Sequence, residues 1–260
     1  MSVVLLMWCL LVQHAAPLPV PAEWTEHRMV AHAMGGIGGT RLTNSREAFV
    51  INYGRGFRVF EVDLRLTSDG YPVALHDWGA LRNPVSLREF MSMPVRKKYH
   101  PLEWSDIVQL AELYPDVYFV TDTKERSRRG IERSFRRIAA SLEASPRPDV
   151  RGRIVPQIYR RSMYGQLERI FPFPSYIYTL YDSPDSDGEV VLFLKRAPKI
   201  RAVTMPEYRV TRRFVSELKK LGVKIYVHSV NDPRIYETYR RLGVDGIYTD
   251  TLAPGSSVRQ

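Results

Sequence analysis

Cysteine is nearly absent from this sequence: Cys9 is the only one. No intramolecular disulfide can form, which excludes a disulfide scaffold. It also excludes cysteine-based metal sites and cysteine nucleophiles from the body of the chain. Blocks of about five or six like charges are missing too, and with them the charged arm that would mark a dedicated binding tail. The basic surplus, net charge +10 and pI ≈ 9.7, is dispersed, with Arg far outnumbering Lys. Such a surface attracts phosphate-bearing partners, including an anionic membrane surface. There is no recognised nucleic-acid module and no interleaved basic and aromatic stripe, so nucleic acid is not an expected partner. Neither dinucleotide nor P-loop glycine spacing occurs.

What is present begins with an apolar run, Val3 to Val12, followed by Ala15-Ala16. The run is shorter than the roughly 20 residues that span a bilayer and matches a signal-peptide core. Residues 1–20 are therefore expected to be a signal peptide or N-terminal anchor, and the chain secreted, periplasmic or membrane-associated. Cytoplasmic residence is the alternative, if the run is a buried segment.

With 44% hydrophobic and 25% charged positions in 260 residues, the rest has enough apolar material for one sizeable core. After Pro17, Pro19 and Pro21, short β-branched runs alternate with amphipathic stretches, the pattern of a parallel sheet wrapped by crossover helices. Strands are expected at 29–32, 59–65, 72–76, 117–122, 154–158, 176–180, 200–205 and 224–229, with a short coda at 246–249. Helices are expected at 45–53, 105–113, 131–142, 161–170, 211–221 and 233–242, several closing on glycine, as at Gly54, Gly222 and Gly243. The fold class is α/β, and residues 24–255 should form a single-domain (β/α)8 TIM barrel. The long connection Trp78–Trp104 reads as a lid or flap, or as a partly helical decoration. Asp182, Asp185 and Asp187 lack calcium-loop spacing and read as a solvated turn.

The chemistry gathers at strand ends. Glu61 and Asp63 alternate on one strand, so both point to the same face. Two carboxylates so close repel unless a proton or hard divalent cation lies between them. His32 ends the first strand and His76 the next after the carboxylates, a general acid and base arrangement. Asp122 and Lys124 alternate at the end of the fourth strand, where Asp122 can complete a metal site and Lys124 can meet a phosphate oxygen. Oxygen-only ligands suit Mg²⁺ or Ca²⁺ better than zinc. Gln157 and Tyr159 end the fifth strand, and Gln157 is a candidate substrate contact.

These residues resemble the glycerophosphodiester phosphodiesterase family. The motifs run in order: Ala31-His32, Thr43-Asn44-Ser45, Glu61-Val62-Asp63, Thr67-Ser68-Asp69-Gly70, Val73 to Asp77, Asp122-Thr123-Lys124 and Gly243 to Asp250. The resemblance implies that Glu61, Asp63 and Asp122 bind the divalent cation and that His32 and His76 exchange protons. It further implies that Asn44, in the family's Asn-containing motif, belongs to the substrate-binding set. The substrate would be a small-molecule or lipid-derived phosphodiester. In the implied mechanism a neighbouring substrate hydroxyl attacks phosphorus, and water opens the resulting cyclic phosphate.

Three departures mark a divergent branch. The family's His-Arg is His32-Ala33, its usual Glu on the fourth strand is Asp122, and a Trp often found on the last strand is replaced by His228, a further candidate substrate contact. Arg160 or Arg161 is a candidate for the missing guanidinium. Gly35-Gly36-Ile37-Gly38-Gly39 reads either as a loop that approaches a phosphate or as a flexible turn. Alternatives to hydrolysis are a phospholipase D-like lyase that releases the cyclic phosphate and an inactive barrel that binds phospholipid or a partner.

Overall fold

The computed structural model describes residues 24–255; the expected leader, residues 1–20, lies outside them. Among the described residues nine strands form: β1 Met29–Ala31, β2 Val59–Leu66, β3 Pro72–Ala74, β4 Tyr118–Thr123, β5 Ile154–Ile158, β6 Tyr176–Thr179, β7 Ile200–Met205, β8 Lys224–Val227 and β9 Gly246–Thr249. All but β3 pair in parallel and close into a barrel, because β1 is bonded to both β2 and β9. The (β/α)8 TIM barrel expected from the alternating pattern is the fold.

Two strand assignments change. The segment 246–249, expected to be a coda, is the last barrel strand and seals the ring between β8 and β1. Gly246 is required there: a Cβ would lie 2.4 Å from the Arg28 carbonyl oxygen and 2.6 Å from the Tyr226 ring. Conversely, β3 is not a barrel strand. It folds back antiparallel on β2, pairing Leu64 with Ala74. The eight-residue β2 meets the short β1 only at Val59 and Phe60, so β3 covers the upper edge that β2 would otherwise leave unpaired.

The helices are α1 Arg46–Gly54, α2 Leu87–Ser92, α3 Trp104–Leu113, α4 Arg128–Ala144, α5 Arg161–Ile170, α6 Asp187–Leu194, α7 Arg212–Lys220 and α8 Pro233–Arg241. Side chains of Ser45, Ser127, Thr211 and Asp232 cap α1, α4, α7 and α8, satisfying otherwise orphaned N–H groups. The long connection holds α2, whose Phe90 is buried edge-on against Trp78. The expected turn at 182–188 instead leads into α6 through a Ser186/Glu189 capping box. Its Asp185 is buried, accepting from Tyr178 and pairing with Arg161 at 3.0 Å. Gly222 and Gly243 have the expected positive φ, but after α1 that role falls to Gly56, not Gly54. No helix among the described residues is long and apolar enough to cross a membrane.

Alternation sorts the strand residues into two cores. Val59, Val120, Val155, Ile177, Ala202 and Tyr226 fill the barrel with Trp24 beneath them, while Phe60, Val62, Phe119 and Ile247 belong to the larger cluster that packs the helices. Following the inward set to the C-terminal end of each strand leads from apolar to polar chemistry.

Candidate active site

On β2 the inward parity that begins with Val59 continues through Glu61, Asp63 and Arg65; on β4 it passes from Tyr118 and Val120 to Asp122. The same step leads from Val30 to His32, from Val155 to Gln157 and Tyr159, from Ala202 to Thr204, and from Tyr226 to His228. Of these, His32, Glu61, Arg65, Asp122, Gln157, Tyr159 and His228 border a cavity of about 500 Å³ at the mouth of the barrel, the end where such barrels keep their chemistry.

Asp63 and Asp122 are direct partners across the β2–β4 ladder. Glu61, Asp63 and Asp122 are all buried, and each offers a carboxylate oxygen within 4.8 Å of the others. At that separation two unit charges repel by about 3.5 kcal/mol at an effective dielectric of about 20, so the cluster needs a countercharge. Lys124 supplies one, lying 2.5 Å from Asp63 Oδ1 and in contact with Asp122. One ammonium does not balance three carboxylates. Burial, and then the Asp63 charge, push the Glu61 carboxyl well above its usual range. Burial acts in the same direction on Asp63, but the Lys124 ammonium outweighs it and holds that carboxyl low.

The donor set fits a hard divalent cation. Glu61 Oε2 accepts from the Ala33 backbone N–H at 2.6 Å, whereas its Oε1 is buried without a hydrogen-bond partner. A buried carboxylate oxygen left open in this way is a ready ligand for Mg²⁺ or Ca²⁺.

His32 stands over this cluster with Nδ1 fixed at 2.9 Å from Asp250 Oδ1 and 3.3 Å from Ser229 Oγ. Asp250 is itself held by Asn231, which donates to its carboxylate and accepts from its backbone N–H. Burial disfavours a charged imidazole, but the Asp250 hydrogen bond and the Glu61 charge prevail and raise His32 to about 9. His76 reaches the same cavity by another route. It follows β3 rather than ending a barrel strand, the hairpin carrying it back beside Asp63, whose carbonyl accepts from the Leu75 N–H at 2.9 Å. Its Nδ1 lies 2.8 Å from Asp77 Oδ2.

Of the expected substrate contacts, Gln157 and His228 border the cavity, as does Lys124. Gln157 Oε1 accepts from the Tyr248 hydroxyl at 2.9 Å. His228 Nδ1 lies 2.7 Å from Thr204 Oγ1, and burial, then the nearby His32 and Lys124 charges, lower it to about 3, leaving a neutral imidazole. Asn44 lies elsewhere: fully buried, its amide donates to Asp63 Oδ2 at 2.8 Å and accepts from the Asp63 N–H at 3.0 Å. It orients a carboxylate rather than bordering the cavity.

Arg161 turns away to Asp185, and Arg160 does not border the mouth; the guanidiniums that do are Arg65 and Arg126. The glycine-rich loop answers to packing: a Cβ on Gly36 would sit 2.6 Å from the Asp250 carbonyl oxygen, and one on Gly35 would sit 2.5 Å from the Asn52 amide. Residues that the sequence reading left without a role are Tyr159, which donates to Asp122, and Asp250, which fixes His32. Inward parity with Val155 and Tyr248 was the signal for both.

A parallel barrel whose mouth combines a carboxylate triad, two histidines and a lysine carries the groups that metal-assisted phosphoryl transfer uses. The sequence profile of the Glycerophosphoryl diester phosphodiesterase family matches residues 36–139, the stretch holding Glu61, Asp63, His76, Asp122 and Lys124. No curated protein sequence matches the chain.

Among solved structures, a glycerophosphodiester phosphodiesterase from Parabacteroides distasonis superposes with TM-score 0.70 at 18% identity, covering 86% of this chain and 92% of that one. One from Thermotoga maritima gives 0.61 at 24%, covering 85% and 93%. A phosphodiesterase from Oleispira antarctica in complex with the product sn-glycerol-3-phosphate gives 0.70 at 15%, covering 86% and 93%. Over residues 36–139 the chain is similar to the Glycerophosphoryl diester phosphodiesterase family, and over most of its length it shares the fold of these structures.

Proposed function

We propose that the chain hydrolyses a glycerophosphodiester, or a related phosphodiester derived from a phospholipid, with a divalent cation on Glu61, Asp63 and Asp122 and with His32 and His76 as the proton-exchanging pair. The observation that carries this reading is the buried carboxylate triad, with Glu61 Oε1 unsatisfied, on one mouth with both imidazoles. The product-bound Oleispira antarctica structure supports the choice of a glycerol phosphodiester.

A bound cation supplies charge stabilisation to phosphoryl oxygens. The chain's own groups do the rest. Asp250 and Asp77 hold the Nδ1 atoms of His32 and His76, which leaves each Nε2 for the substrate. One takes a proton from the attacking oxygen while the other gives one to the departing oxygen, as in-line displacement requires. Lys124, Arg65 and Arg126 offer cationic donors for phosphate oxygens.

The test is a panel of glycerophosphodiesters and lysophospholipids with Mg²⁺, Ca²⁺ or Mn²⁺, the phosphorus product being followed by NMR. His32→Ala and His76→Ala should each lower kcat by at least about 10²-fold, and the two losses should not add. Near-normal turnover in either variant overturns the two-histidine mechanism. A cyclic phosphate as the final product would make the chain a lyase, and no turnover of any diester with any cation would favour a binding barrel.

A further inference from the structure

A second cavity, of about 340 Å³, opens beside the mouth and shares Tyr159 and Arg126 with it. It lies between α4 and α5. Ile131 and Met163 are its buried floor. Ser162, Gln166 and Arg169 border it at helical spacing on one face of α5, so at 1.5 Å per residue the groove runs outward for about 10 Å. Arg128 and Arg160 complete the border, with Glu125 the one carboxylate.

Of the neighbouring arginines, Arg126 pairs with Asp182 at 3.4 Å, Arg136 with Glu132 and Arg161 with Asp185. Among the described residues, Arg128, Arg160 and Arg169 have no ion-pair partner. Arg126 lies flat over the Tyr159 ring, 4.0 Å from its centroid, at the junction of the two cavities. Four guanidiniums on one hollow repel one another, and an anion between them reverses that cost through bidentate, charge-assisted hydrogen bonds.

We propose that this groove is a second anion subsite, which takes a phosphate group carried by the substrate beyond the scissile phosphodiester. The proposal rests on the phosphodiesterase reading of the mouth and deepens it: the preferred substrate carries two phosphates, one over the carboxylate triad and one between α4 and α5. An acyl chain is the poorer occupant, because it could cover Ile131 and Met163 but would leave three guanidiniums unpaired. The second phosphate could be a monoester on a polyol head group or a second diester of a double-headed glycerol, and the two are separable by assay.

Wild type is compared with a variant combining Arg128→Ala, Arg160→Ala and Arg169→Ala, and with the matching Arg→Lys variant. All three side chains are exposed, so the variants should fold, which thermal melts check. The substrates are glycerophosphoinositol, its 4-phosphate, bis(glycerophospho)glycerol and a lysophosphatidylcholine.

Wild type should show kcat/KM at least about tenfold higher for one of the two doubly phosphorylated substrates than for glycerophosphoinositol. The alanine variant should lose that ratio and the lysine variant should retain much of it; which substrate shows the preference identifies the source of the second phosphate. A wild-type ratio near one, a ratio unchanged in the alanine variant, or a preference for the lysophospholipid that the alanine variant abolishes would each overturn the proposal. If wild type turns over none of these diesters, the phosphodiesterase reading fails, and the groove is read by calorimetry with inositol 1,4-bisphosphate. Binding at least about tenfold weaker in the alanine variant supports the subsite, and equal binding in the two proteins overturns it.

Discussion

Replacing Glu61 by Gln separates the cost of the carboxylate cluster from the gain of filling it. In the cation-free protein Glu61 is buried at 1% exposure, with Oε2 accepting from Ala33 and Oε1 accepting from nothing. Gln keeps an acceptor for Ala33 and removes the carboxyl whose ionisation burial and the Asp63 charge disfavour. The cation-free variant should therefore be at least as stable as wild type. With cation the order reverses. A ligand at 100 times its Kd stabilises the folded state by about 2.7 kcal/mol, and for a chain of this size about 1 kcal/mol moves Tm by roughly 2–4 °C. Wild type should therefore gain roughly 5–10 °C on saturation with Mg²⁺ or Ca²⁺, while Glu61→Gln should gain little. Melts with EDTA and with each ion, followed by circular dichroism, make the comparison. A wild-type Tm indifferent to both ions, or a variant that keeps the full shift, would refute the assignment.

Three other perturbations test the surrounding architecture. Asn44→Ala removes both hydrogen bonds that orient Asp63 and should weaken cation affinity by about 10- to 100-fold, read by calorimetric titration. Gly246→Ala forces a Cβ against the Arg28 carbonyl at 2.4 Å and should cost about 1–3 kcal/mol in urea unfolding, since the neighbour is backbone and yields little. His27 is lowered from 6.5 by burial and then by the Arg58 charge. Below that value the unfolded chain takes up the proton first, so the stability His27 contributes is present above about pH 6.5 and lost as pH falls. His27→Gln should flatten the decline in stability between pH 7.5 and 5, and an unchanged slope would exclude the effect.

The barrel was legible because its strands declare themselves by alternation and its helices by their caps. That alternation placed Glu61 and Asp63 on one inward face beside Asp122. Carried one step further it reaches Arg65 and Arg126, the guanidiniums that border the mouth where Arg160 and Arg161 do not. Asp250 was visible in the closing motif, but its bond to His32 joins positions 218 residues apart, and local spacing carries no information about that. The hairpin that positions His76 was hidden for a different reason. Pro72 to Ala74 has the same apolar character whether it enters the ring or folds back, and only the unequal lengths of β1 and β2 decide which. Asn44 has a local sequence that fits substrate or scaffold equally well, and its role depends on where Asp63 lies in three dimensions.

The seam between β1 and β9 also sets a timetable. His32 and the Asp250 that steadies it are separated by 218 positions. At a synthesis rate of about 5–20 residues per second, roughly 10–45 s pass between the making of the two. Until then Met29 to Ala31 has a partner on one side only, and the imidazole lacks its anchor. Closure of the barrel and the fixing of His32 therefore wait for the same segment. A nascent chain that stalls before Gly246 would hold Glu61, Asp63, Asp122 and both histidines, yet its barrel would be open and His32 would lack its anchor.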